Sequence, residues 1–174
     1  DAVLIRNLAD GDPGGHYRRA MESFPLPDVV AEALDKYFNR SGRQEGEPYP
    51  AMKMHKRVLD LWQKKVIALA NFAEVTLAKE NHDGPVGINL LTKIQIPNLA
   101  SLYGAMLAGV DYVLMGAGIP REIPGALDAM SVHGPASIRL DVQGGSGADD
   151  EVVPFDPGRF WEHTEAPTLK RPNF

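Results

Sequence analysis

Residues 84–125 read GPVGINLLTKIQIPNLASLYGAMLAGVDYVLMGAGIPREIPG, and this stretch decides the fold. Residues 85–91 form an apolar run broken by one amide, Asn89. Leu99, Leu102, Tyr103, Met106 and Leu107 then recur at helical spacing. Gly109 ends that helix. Residues 110–115 are a second apolar run, rich in strand-favouring side chains, and it closes on Gly116, Ala117 and Gly118. Strand, helix, strand at these lengths predicts a β-α-β unit, with parallel strands and a right-handed crossover. Ligands of parallel α/β sheets bind at the carboxyl ends of the strands. Asn89 and the Gly116–Gly118 turn fall at that end.

Downstream, Ile123, Leu127 and Met130 predict a short helix, with Pro124 tolerated only in its first turn. Ile138, Leu140 and Val142 alternate with Ser137, Arg139 and Asp141, which predicts a third strand. Strands 85–91, 111–115 and 137–142 are expected parallel, as neighbours in that order in one sheet. The segment 144–174 has a flexible start, GGSGADD, then four prolines and little periodicity. It reads as an irregular tail.

Upstream, the segment 1–83 reads as mainly helical. Ala2, Leu4, Ile5 and Leu8 share a face, with Asp1 as a cap. Residues 16–24 predict a short helix, and Asp28 is the expected N-cap of another over 29–39. Residues 39–53 are polar and rich in Gly and Pro, an exposed loop. Residues 56–80 return to helical spacing, with a break expected near Lys64 and Lys65, or a short strand at 66–70. Phe24, Tyr37, Phe38, Trp62 and Phe72 are expected in the core. Three parallel strands with helices on one side leave a sheet face bare, whereas parallel sheets bury both. Either the helical half covers that face or the sheet continues in chain beyond this sequence. The absence of a starting Met, with Asp1 in first place, favours the second.

The chain has 174 residues and a net charge of −5 with both signs interspersed, and no basic face for nucleic acid stands out. It has no cysteine, which removes disulfides and thiolate metal sites. No apolar run nears the roughly 18 residues of a membrane span, and no signal peptide is visible. The cytoplasm is the expected location.

GINLL followed by SLYGAMLAGVDYVLMGAGIPREIPG resembles the flavin-dependent nitronate monooxygenases, a family that also includes FMN-dependent enoyl reductases. The resemblance is strongest over 84–130. RNLADGDPGGHYRRAMESFP at 6–25 and the closing APTLKRPNF extend it less specifically. It implies part of an FMN-binding TIM (β/α)8 barrel, with an extra helical region in its first half. It implies an oxidoreductase acting on a small-molecule nitronate with oxygen. The alternative within the family is an enoyl reductase, with acyl carrier protein as a partner. An alternative from another class is a non-catalytic subunit completing a barrel with a partner. The family's first strand and its phosphate-binding loops would lie outside this sequence, so this chain alone is expected to bind FMN weakly or not at all. The resemblance implies cofactor contacts from Asn89, Lys93, Gly116, Ala117 and Gly118. Asn89 can both donate and accept, which suits the uracil-like edge of a flavin. Lys93 would place positive charge near the reduced, anionic ring, and glycine lets backbone pass close to a ring face. No catalytic base is evident.

Plainer readings stand beside these. Gly116-Ala117-Gly118 alone is a turn, and Arg121 spoils a dinucleotide fingerprint. GDPGGH lacks the Lys-Ser/Thr of a P-loop. GGSGADDE lacks EF-hand spacing. His16, His55, His82, His133 and His163 form no i,i+4 pair, so no metal site is expected. Asn89 itself would otherwise serve to tie down the loop at 92–95.

Overall fold

Asp60 starts the longest helix. Its carboxylate accepts from the Gln63 N–H at 2.8 Å, and the Gln63 side chain accepts from the Asp60 N–H at 3.2 Å. This reciprocal capping satisfies two donors that a helix start leaves orphaned. The computed structural model describes residues 1–51, 53–140 and 151–174.

In chain order the elements are α1 (Ala2–Ala9), α2 (His16–Met21), α3 (Pro27–Tyr37), α4 (Leu61–Ala78), β1 (Gly87–Leu91), α5 (Gln95–Leu107), β2 (Tyr112–Gly116), α6 (Ile123–Ser131), β3 (Ala136–Arg139) and β4 (Val152–Phe155). Single 3-10 turns cover Pro13–Gly15 and Pro157–Phe160. Asp1 caps α1 as expected, accepting from the Ala2 N–H at 2.9 Å. The expected break in the 56–80 helix is absent. The box at Asp60 sets the start of α4 later than expected, and helix-forming residues then run unbroken to Ala78, so 66–70 is helix and not strand. Helix α3 starts at Pro27, whose fixed φ suits a first helical position, and Asp28 lies inside the first turn instead of capping it.

Helices α4 and α5 form the centre of the core. They cross so closely that a Cβ on Gly104 would lie 2.0 Å from the Ala68 carbonyl oxygen. Ile67, Leu69, Leu99, Leu102 and Met106 are fully buried around that crossing. Phe24 and Phe72 meet edge to face, 5.0 Å between centroids. Tyr37, Phe38 and Trp62 are half-buried against the same core.

The expected parallel pairing of the first two strands is present. Gly87 faces Tyr112, Asn89 faces Leu114 and Leu91 faces Gly116. Asn173 adds to the other side of β2 in a parallel bridge to Tyr112. It accepts from the Val113 N–H at 2.8 Å and donates to the Asp111 carbonyl at 2.9 Å.

The third strand corrects the expectation. β3 does not join this sheet; it pairs antiparallel with β4, Ile138 opposite Val153. The chain returns from β3 and lays Val153 and Phe155 into the core, so the nearest strand edge for β3 is its own return segment. Asp141, Val142 and the GGSGADD segment lie outside the described residues. The tail is likewise more ordered than its composition suggests, with β4, a 3-10 turn and the Asn173 bridge. The described residues form a mixed α/β fold with two short two-stranded sheets, and a barrel is not among them. No helix among them is long and apolar enough to cross a membrane.

Candidate functional site

Alternation along β1 and β2 sends Ile88, Leu90, Val113 and Met115 toward the helices. Gly87, Asn89, Leu91, Tyr112 and Leu114 occupy the opposite face, which is exposed. Leu91 is 42% and Leu114 is 55% exposed, high for strand leucines. This is the bare sheet face that parallel pairing ordinarily covers. Helix α5 packs against the other face, and α4 of the helical half packs on α5.

Asn89 lies on the bare face opposite Leu114, and its side chain makes no hydrogen bond among the described residues. The loop-tying role belongs to another amide. Asn98, buried in the first turns of α5, donates from Nδ2 to the Leu91 carbonyl at 3.1 Å and reaches the Thr92 carbonyl at 3.5 Å. Helix α5 carries two amides, Gln95 and Asn98, and nothing in the sequence marks which of them ties down the loop.

Thr92 follows directly. Its N–H donates to the Gly116 carbonyl at 2.8 Å, which extends the ladder one residue past both strands. Its hydroxyl oxygen is buried and has no hydrogen-bond partner among the described residues. Buried hydroxyls are nearly always paired, so this oxygen is the chemical anomaly at the strand ends. Nothing in the residue pattern signals it, since the orphan arises from burial.

The Gly116–Gly118 turn sits over Thr92. Ala117 holds φ +55° and Gly118 holds φ +155°. A Cβ at Gly118 would lie 2.8 Å from the Thr92 Cβ, so the close approach requires glycine. Lys93, the residue after Thr92, is exposed and forms no ion pair among the described residues. Both loops are anchored to β3: Gln95 Nε2 donates to the Arg139 carbonyl at 2.6 Å, and the Glu122 carboxylate accepts from the Arg139 N–H at 2.9 Å. The ends of β1 and β2 therefore bring Thr92 and the Gly116–Gly118 turn together, whereas Asn89, expected at the strand end, sits mid-strand opposite Leu114.

A second polar cluster lies inside the core. The Pro167 carbonyl can only accept, so His133 Nε2, 2.7 Å away, carries the proton. Trp161 Nε1 can only donate, and it gives its proton to the Tyr103 oxygen at 2.6 Å. The Tyr103 hydroxyl then donates to His133 Nδ1 at 2.6 Å. Burial pushes the Tyr103 pKa up, with Trp161 opposing weakly. Every member is satisfied, and the cluster fastens the tail to α5. His82 serves a turn, accepting from the Gly84 N–H at 3.0 Å. GDPGGH is a structural bracket: the buried Asp12 carboxylate takes the Tyr17 and Arg18 amides at 3.1 and 3.0 Å, filling the place a phosphate would need. Among the described residues no group of three His, Cys, Asp or Glu is placed to hold a metal.

No family model, curated protein or solved structure matches this chain.

Proposed function

We propose that this chain is the amino-terminal part of an FMN-dependent barrel oxidoreductase of the nitronate monooxygenase type. One observation carries the reading. On the exposed apolar face of two parallel strands, the mid-strand amide of Asn89 makes no hydrogen bond among the described residues, and just past the strand end the buried hydroxyl of Thr92 makes none among them either. A flavin ring needs that combination: an apolar surface for its face and a few placed polar groups for its edge. The parallel bridge at Asn173 supports it further, since a strand added there would sit third in a parallel series.

In this reading Asn89 hydrogen-bonds the pyrimidine edge of the ring, and Thr92 supplies one more hydroxyl. Lys93 adds positive charge at the same end. The Gly116–Gly118 turn lets backbone approach the ring closely. FMN held there would supply the redox chemistry for oxidation of a nitronate with oxygen. The residues described here bind and orient the ring, and the phosphate grip belongs to later loops of the barrel.

The test is titration of FMN into the full-length parent protein and its Asn89→Leu variant, followed by affinity and by the Asn89 side-chain amide signals. The signals are expected to shift on binding. The leucine leaves the ring edge unsatisfied at a cost of about 1–3 kcal/mol, or roughly five- to 150-fold weaker binding. Equal affinities, or unmoved Asn89 signals, would sink the flavin reading.

A further inference from the structure

The Pro157–Phe160 turn and the residues after it lie against the starts of α3 and α4, and a cleft of about 350 Å³ opens between them. Its apolar wall is Leu26, Leu61 and Phe160, and its polar rim carries Lys65, Arg159 and His163. The volume lies within the roughly 300–1,000 Å³ of small-molecule pockets.

The cations here are poorly satisfied. The Lys65 ammonium sits 5.9 Å from the Phe160 ring centroid and forms no ion pair among the described residues. His163 has no carboxylate partner among them either. Two carboxylates also line the cleft, Asp28 and Glu162. Asp28 lies in the first turn of α3, where the helix dipole favours it. Glu162 reaches Arg159 only at 3.9 Å, with both side chains more than half exposed, and such pairs are worth little. The neighbouring Lys64 registers the same crowding: burial first, and then the charge of Arg159, lowers its pKa.

We propose that this cleft binds a small phosphomonoester with an aromatic or aliphatic body. The body lies on Leu26, Leu61 and Phe160, and the phosphate takes Lys65 and Arg159, displacing the weakly held Glu162. A dianion with three acceptor oxygens answers two cations and an imidazole better than a single carboxylate does. The cleft shares no residue with the strand ends, so the proposal stands apart from the flavin reading.

Phenyl phosphate is the probe. It is titrated into the 174-residue chain by calorimetry, with amide spectra recorded alongside, for the parent, Lys65→Gln, Arg159→Gln and the distant control Arg121→Gln. Saturable binding is expected, with shifts centred on Lys65 and Phe160. Either cleft substitution should weaken it roughly fivefold or more, while the control leaves it unchanged. Both cleft substitutions are at solvent-accessible side chains, and the spectra verify that each variant is folded. Raising the salt concentration should weaken binding in the parent. Absence of saturable binding, or equal affinity in the parent and both cleft variants, overturns the proposal. Inorganic phosphate binding as tightly as phenyl phosphate also overturns it, because the apolar wall would then play no part.

Discussion

The Tyr103 hydroxyl serves two neighbours at once, accepting from Trp161 and donating to His133. Its ring meets Phe155 and Phe160 at centroid distances of 5.4 and 5.5 Å. Tyr103→Phe keeps those ring contacts and removes only the oxygen. Trp161 N–H and His133 Nδ1 are then both left without that partner, at a cost of about 1–3 kcal/mol. For a chain of this size that corresponds to roughly 2–12 °C in Tm, measurable by calorimetry. A Tyr103→Phe protein as stable as the parent would mean that the network contributes nothing net. The same hydroxyl marks a limit of sequence reading. Tyr103 was legible as a core residue from its helical spacing, but its partners lie 30 and 58 residues away and no local pattern announces them.

Among the elements, the α4–α5 crossing depends on one atom that is missing. Gly104 lies mid-helix, where glycine costs about 1 kcal/mol relative to alanine, so propensity alone would favour Gly104→Ala. The geometry reverses that sign: the added methyl would meet the Ala68 carbonyl at 2.0 Å, backbone that cannot swing aside. The helices must separate, and overpacking of this kind costs about 1–3 kcal/mol or more. Urea unfolding of Gly104→Ala should show a lower midpoint, and a raised midpoint would refute the close crossing. Where the sequence was informative, the periodicity was long and local: β1, α5, β2 and α6 follow from the 84–130 spacing. β3 was legible as a strand but its partner was not, because Val152-Val153-Pro154-Phe155 is too short for a period to emerge and contains a proline. At the candidate site Asn89 was legible as an amide in an apolar run. Thr92 and Asn98 were not, because their roles follow from burial and from what a neighbouring loop needs.

Across the whole molecule, Asp111 joins parts far apart in the chain. Its carboxylate takes the Lys79 ammonium at 2.7 Å from the end of α4 and the Val86 N–H at 3.0 Å before β1. Lys170 of the tail approaches at 3.7 Å. Lys79 first, then the Val86 amide, holds its pKa at about 2 against the usual 3.8. A carboxylate with a depressed folded pKa contributes stability that is complete above the unfolded pKa and fades as pH falls toward the folded one. Thermal stability should therefore decline between about pH 4 and pH 2 through this group. In Asp111→Asn that part of the decline should be missing, and the variant should be less stable near neutrality. Parallel pH profiles for the two proteins would show that Asp111 is not the group responsible.

The bridge between Tyr112 and Asn173 also bears on the order in which the molecule assembles. Gly87 and Tyr112 pair across 25 residues of chain, whereas Tyr112 and Asn173 pair across 61. Closing the longer loop costs about 0.8 kcal/mol more in chain entropy, and the bridge returns only two backbone hydrogen bonds for it. The two sides of β2 thus differ in permanence. The inner seam with β1 closes early and opens rarely, while the outer seam is a late and reversible closure. Deuterium should record the difference: the Val113 amide, which donates to Asn173, should exchange sooner than the Thr92 amide, which donates to Gly116. Equal rates would mean that the tail is sewn in as firmly as the strands it borders.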